Sequence, residues 1–217
     1  MKGLIKNNLY TALPNVKVFF ATMILLGVFV IVTGAGSPAL ITCMLSVMIG
    51  FSFISLESAG LENTSKWIRY KLTAPVKRSD IVKSLYLSLL LWLSAGIVFA
   101  GISVAVSTAL HGCPFDRNVD ILLLFVAGIG ISLFMGTVFF PLFFLGLEAQ
   151  YNVFLFVSIL TGIGIIVGIC LLINSFFPHG MTSRQIILSG IAVLIFSALA
   201  FALSCPLSVY LFQRKDY

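Results

Sequence analysis

The sequence predicts an all-α integral membrane protein with six transmembrane helices, an interfacial amphipathic helix at its N-terminus and a short cytoplasmic helix between spans two and three. Three observations carry this. Of the 217 residues, 60% are hydrophobic and 9% charged, with a mean hydropathy of +1.14, against about 25% charged in a soluble domain. The runs 18–56, 84–115, 121–147, 149–183 and 185–213 contain no charge, and about 20 apolar residues suffice to cross a bilayer core. Lys and Arg fall unevenly between alternate loops. Runs apolar all round, with little period-2 alternation, favour helices over a barrel. The whole chain, 1–217, reads as one transmembrane domain.

Residues 1–16, MKGLIKNNLYTALPNV, are too polar to span. Ile5, Leu9 and Leu13 recur at helical spacing and Leu4 widens the stripe, while Lys2, Lys6, Asn7 and Asn8 fill the remainder. This fits a short helix in the membrane interface, its lysines near lipid phosphates. The first charge-free run, 39 residues long, is twice what one helix needs, and Gly34-Ala35-Gly36-Ser37-Pro38 suits a turn within it. Spans are therefore expected at about 18–34 and 39–56. The seventeen-residue segment before Val18 is long for a signal peptide, and the second span follows at once, so a retained hairpin is expected.

From Glu57 the chain turns polar. The loop 57–80 holds Glu57, Glu62, Lys66, Arg69, Lys71, Lys77, Arg78 and Asp80, and Lys83 follows it. Leu61, Ile68 and Leu72 recur at helical intervals with Trp67 and Tyr70 beside them, giving a short amphipathic helix from Ser58 to Leu72. Pro75 ends it, because proline disfavours helix in the residue before it. Ser79 suits an N-cap and Asp80 a first-turn anion for the third span. The remaining spans follow at about 81–110, 119–147, 153–176 and 185–212. Pro141 and Pro206 lie inside two of them and predict kinks, and Gly162, Gly164 and Gly168 offer a close-packing face on the fifth. Phe139, Phe140, Phe143 and Phe144 would suit either an apolar path or lipid-facing packing.

With both termini inside, eleven of the thirteen Lys and Arg residues are cytoplasmic and only Arg117 and Arg184 are outside. That is a strong positive-inside signal, expected of a multi-pass membrane protein with both termini in the cytoplasm. The net charge of +6 then answers an anionic leaflet, and membrane lipids are expected partners. No base-stacking or phosphate-binding motif accompanies it, which argues against nucleic acid.

Catalytic signatures are missing. There is no G-x-S-x-G, no H-E-x-x-H and no G-x-x-x-x-G-K-[ST], so this chain is not expected to be an enzyme or to bind ATP in the P-loop manner. Cys43, Cys113, Cys170 and Cys205 form no C-x-x-C pair, and His111 and His179 lie in separate loops away from any ligand cluster. The middles of the spans lack ionisable groups, unlike a proton- or ion-coupled transporter. Energy for any movement of cargo must then enter from outside the membrane domain.

The polar loop carries an ordered series, Glu57, Trp67, Tyr70, Pro75, Arg78, Ile81-Val82 and Tyr86, and a second motif, Pro141-Leu-Phe-Phe-Leu-Gly146-Leu-Glu148, closes the fourth span. Together these resemble the small six-span permeases of the ABC-2 type, the membrane subunits of bacterial ABC exporters whose ATPase is a separate polypeptide. The second motif departs from the family pattern in lacking basic residues around the glycine, with Leu145 before it and Ala149-Gln150 after Glu148. The resemblance implies two permease copies, identical or related, enclosing a substrate path. It also implies a cytoplasmic ABC ATPase that binds ATP and magnesium, this chain holding no cofactor or metal of its own. Docking and coupling would fall to Glu57, Glu62, Trp67, Arg69, Tyr70, Pro75, Arg78 and Glu148. The cargo expected is an amphipathic or hydrophobic peptide, an antibiotic or a lipid-like molecule. Two other readings fit a chain of this size: the substrate-capturing membrane subunit of a vitamin importer, and a non-transport assembly or sensor protein.

Overall fold

The computed structural model describes residues 2–33, 37–64, 77–112, 118–146, 150–176 and 182–214, and among them every long element is helical. The helices are α1 (Lys2–Thr33), α2 (Ser37–Thr64), α3 (Arg78–His111), α4 (Asn118–Leu145), α5 (Tyr151–Phe176) and α6 (Ser183–Arg214). Five contain a stretch long and apolar enough to cross a membrane, and a bent pair within α1 supplies a sixth. The fold is thus the expected all-α membrane bundle.

These segments are helical because an apolar medium leaves the backbone no other partner for its N–H and C=O groups. Their hydroxyls follow the same rule. Ser52 donates to the Met48 carbonyl at 3.1 Å, Thr137 to Leu133 at 2.8 Å and Ser158 to Leu155 at 2.7 Å, each using its own helix as acceptor. Among the described residues the buried polar side chains are Asn8 and eleven serines, with no charge among them.

Two lobes make up the bundle. In one, α1 leans on α2 and α3; in the other, α5 and α6 pack on α4. Contacts of α2 with α4 and of α3 with α6 join them. One core cluster, rich in aromatic rings, lies among α2 to α6, and the second lies mainly between α1, α2 and α3. Phe139, Phe140, Phe143 and Phe144 are all buried in the first cluster. They form interior packing of this chain, neither a lipid-facing surface nor an open path within it.

Two details differ from the expected elements. The stretch Ser58–Thr64 is not the start of a separate helix but the continuation of α2, since nothing breaks the helix after Leu56 and the turn through Ser58 and Ala59 is buried. The rest of the expected short helix, 65–72, lies outside the described residues. At the N-terminus, the arm Gly3–Leu13 belongs to α1 and meets Val16–Val28 at 59°, with Pro14 at the break. Its fully buried residues are Asn8 and Ala12, with Leu4, Ile5 and Leu9 half-buried and Leu13 exposed. The arm packs against protein: Asn8 is 1% exposed and donates to Ser84 Oγ at 3.2 Å, while Leu13 is 38% exposed.

Gly162 is the close-packing glycine of α5. A Cβ there would stand 3.0 Å from the Ile131 carbonyl oxygen of α4 and 2.9 Å from Met135, whereas one at Gly164 or Gly168 would meet nothing within 4 Å. Gly162→Val is expected to destabilise the detergent-solubilised chain by about 1–3 kcal/mol. Gly164→Ala and Gly168→Ala should leave the melting temperature unchanged or raise it slightly, since alanine is the better helix former. Thermal unfolding of the purified variants checks this, and equal losses at positions 162 and 164 would contradict the packing.

Candidate functional site

Both the start of α1 and the end of α6 lie at one end of the bundle, where most of the described basic residues also gather. This end is assembled by contacts between helix termini. Asn8 on α1 reaches Ser84 on α3. The Tyr151 hydroxyl at the start of α5 donates to the Leu56 carbonyl of α2 at 3.3 Å. The Tyr151 ring also covers Gly60, where a side chain would collide with it, and meets Phe139 edge-on at 5.9 Å. Phe144 near the end of α4 lies 4.9 Å from Phe212 near the end of α6. Beyond α4, Gly146 closes the helix with its N–H on the Leu142 carbonyl at 2.8 Å, and the Phe154 ring fills the space a side chain there would need.

Arg78, expected to contact a partner, has a contact inside the chain as well. Its Nη1 lies 3.2 Å from the Gln213 carbonyl oxygen and 3.4 Å from that of Phe212, and its guanidinium stands 5.9 Å over the Phe212 ring. The final carbonyls of a helix have no intrahelical donor and carry the negative end of its dipole. Arg78 therefore caps α6 and ties the start of α3 to it. The N-cap of α3 is Lys77, extended at φ −69 and ψ 138 with no side-chain cap bond, and not Ser79, which lies within the first turn. Starting the helix at Arg78 places that side chain against α6. Asp80 does occupy the first turn.

Of the other residues expected at the docking surface, Glu57 is half-buried in the last turns of α2, and Glu62 lies in its final turn. Trp67, Arg69, Tyr70, Pro75 and Glu148 lie outside the described residues. Tyr86, the last residue of the first motif, is buried two turns into α3, its hydroxyl 2.8 Å from both Ser204 Oγ and Ser208 Oγ of α6.

The sequence reading missed Asn8, Ser84 and Tyr151 as organisers of this end. Asn8 sits in a polar run with Asn7 and Lys6, so no periodicity marks it as inward-facing. Tyr151 had a weak signal as an aromatic residue at a span boundary, where anchoring in the membrane interface is the common reason for it.

Arg78→Ala should uncap α6 at a cost of about 1 kcal/mol, discounted for its partial exposure. Amide exchange in the last turn of α6 should then quicken about fivefold, since that is the factor for this energy. Arg78→Lys, which keeps the charge without the planar donor fork, should fall between. Hydrogen–deuterium exchange of the peptide covering Tyr210–Arg214 reads both, and unchanged exchange in Arg78→Ala would remove the capping role.

Comparison with known proteins is consistent with this architecture. Neither curated proteins nor solved structures give a match. A family model described as ABC-2 family transporter protein matches residues 3–213, from the N-terminal arm to the end of α6. The match spans all six helices and both polar motifs, and the chain belongs to the ABC-2 family of transporter proteins as a multi-pass membrane permease.

Proposed function

We propose that this chain is the permease subunit of an ABC exporter, working as a pair of permeases and driven by a separate cytoplasmic ATPase that docks on the segment between α2 and α3. The observation that carries this reading is the anchoring of that segment's two flanks. On one side, the last turns of α2 are buried beneath Tyr151. On the other, the first turn of α3 is fastened to the end of α6 by Arg78. A partner gripping residues 65–76 would act on two helices that have little slack, and its movement would reach the bundle directly.

In this reading the basic end faces the cytoplasm, with an anionic leaflet around it. Trp67 and Tyr70 supply apolar contact area to the ATPase and Arg69 charged contacts, the residue types that anchor such interfaces. Glu57, Glu62, Pro75 and Glu148 are assigned to the same docking and coupling role. ATP and magnesium bind to the partner. Without a buried charge among the described residues, the spans suit an amphipathic or hydrophobic peptide, an antibiotic or a lipid-like cargo better than a small ion.

The test is co-purification with the ATPase from the native membrane and ATP turnover of the isolated chain. The chain alone should hydrolyse no ATP, and the ATPase should remain bound through detergent extraction. Replacing Trp67 and Arg69 together by alanine should lower ATPase retention at least tenfold, the loss of two interface anchors at about 1 kcal/mol or more each, with the permease still inserted. Full retention and undiminished transport in that variant would remove the docking assignment.

A further inference from the structure

Pro141 in α4 has no N–H to donate to the carbonyl four residues earlier, which is that of Thr137. Ser204 on α6 places its Oγ 2.8 Å from the Thr137 oxygen and supplies the donor the proline withholds. That single hydroxyl hydrogen fixes the direction of the bonds behind it. Tyr86 Oη lies 2.8 Å from Ser204 Oγ and 2.8 Å from Ser208 Oγ. With Ser204 already donating to Thr137, Tyr86 must donate to Ser204 and Ser208 to Tyr86, because each hydroxyl has one hydrogen. The result is a buried, one-way chain from Ser208 through Tyr86 and Ser204 to the Thr137 carbonyl. It passes from α6 to α3, back to α6, and ends on α4 at a gap in that helix's own ladder.

The packing around the chain joins the same three helices. The Tyr86 ring stands 4.4 Å from that of Phe140, the neighbour of Pro141, and 4.9 Å from that of Phe201 on α6. Direct packing between α3 and α4 is otherwise sparse. A proline gap is a place where a helix bends, so the group that satisfies it helps set how the two halves of α4 sit.

We propose that Ser204 and Tyr86 are positioning residues for transport: Ser204 clamps α4 at its proline gap, and Tyr86 ties the clamp to α3, so that a displacement of α3 is passed to α4 at this point. The source of that displacement rests on the exporter reading above, whereas the clamp stands on the hydrogen bonds alone.

Two measurements test the two halves. For the clamp, the purified chain carrying Ser204→Ala should melt about 3 °C lower, in line with one lost buried hydrogen bond, and Ser204→Thr should recover most of the loss. In a Pro141→Ala chain the restored amide serves Thr137, so adding Ser204→Ala should lose most of its effect. An equal loss in both backgrounds, or none with Pro141 present, overturns the clamp. For transmission, spin labels at Lys83 and Leu145, exposed on α3 and α4, are read by pulsed dipolar spectroscopy in the complex with the ATPase, the native cysteines replaced. ATP should leave their separation unchanged in the otherwise native chain and shift or broaden it in Ser204→Ala. The same ATP response with and without the hydroxyl overturns transmission. If no ATPase binds the native chain, transmission falls together with the exporter reading, while the melting series still decides the clamp.

Discussion

A bilayer offers no water to a polar group, so each donor and acceptor within it must find its partner in the chain or leave a cost of several kcal/mol. Most features described above follow from that constraint. It makes the backbone helical, turns serine and threonine hydroxyls back onto their own helices, and keeps charges out of the described interior. It also explains why Ser204 reaches across to the Thr137 carbonyl of another helix: a proline creates an acceptor that its own helix cannot serve. Among the described residues, the buried Ser88 Oγ and Trp92 Nε1, one turn apart on α3, lack a hydrogen-bond partner. Nothing in the structure explains that pair.

The basic end shows a different use of the same constraint. Helix termini expose four unpaired groups each, and here several termini serve one another. Arg78 covers the last carbonyls of α6, and the Tyr151 hydroxyl reaches α2. Serving these groups also fixes the relative positions of the helices. The helix ends that flank the segment between α2 and α3 are thus each braced against a neighbouring helix.

What the sequence made legible was set by length and composition. The existence of the long apolar helices was readable from the charge-free runs, although their ends were not: α2 continues past Glu57 to Thr64. The start of the fold was harder. Ile5, Leu9 and Leu13 make a plausible apolar stripe, yet the fully buried residues are the neighbouring Asn8 and Ala12. In a membrane setting apolar residues face lipid as readily as protein, so hydrophobicity no longer tells inside from outside. For the same reason Gly162, Gly164 and Gly168 looked equivalent, and only the approach of the Ile131 carbonyl singles out the first. Tyr86 was visible as part of a motif, but its partners Ser204 and Ser208 lie more than a hundred residues away, a distance no local pattern can bridge.

The contact between Asn8 and Ser84 also sets an order of events. Synthesis delivers α1 before α3, and structure generally forms in that order as the chain is made. Yet the acceptor for Asn8 lies 76 positions further on, in a helix that is made only after α1 and α2. The arm therefore cannot complete its contact with Ser84 until the third helix has been threaded into the membrane. The arm, though made before α3, is fastened to it only afterwards.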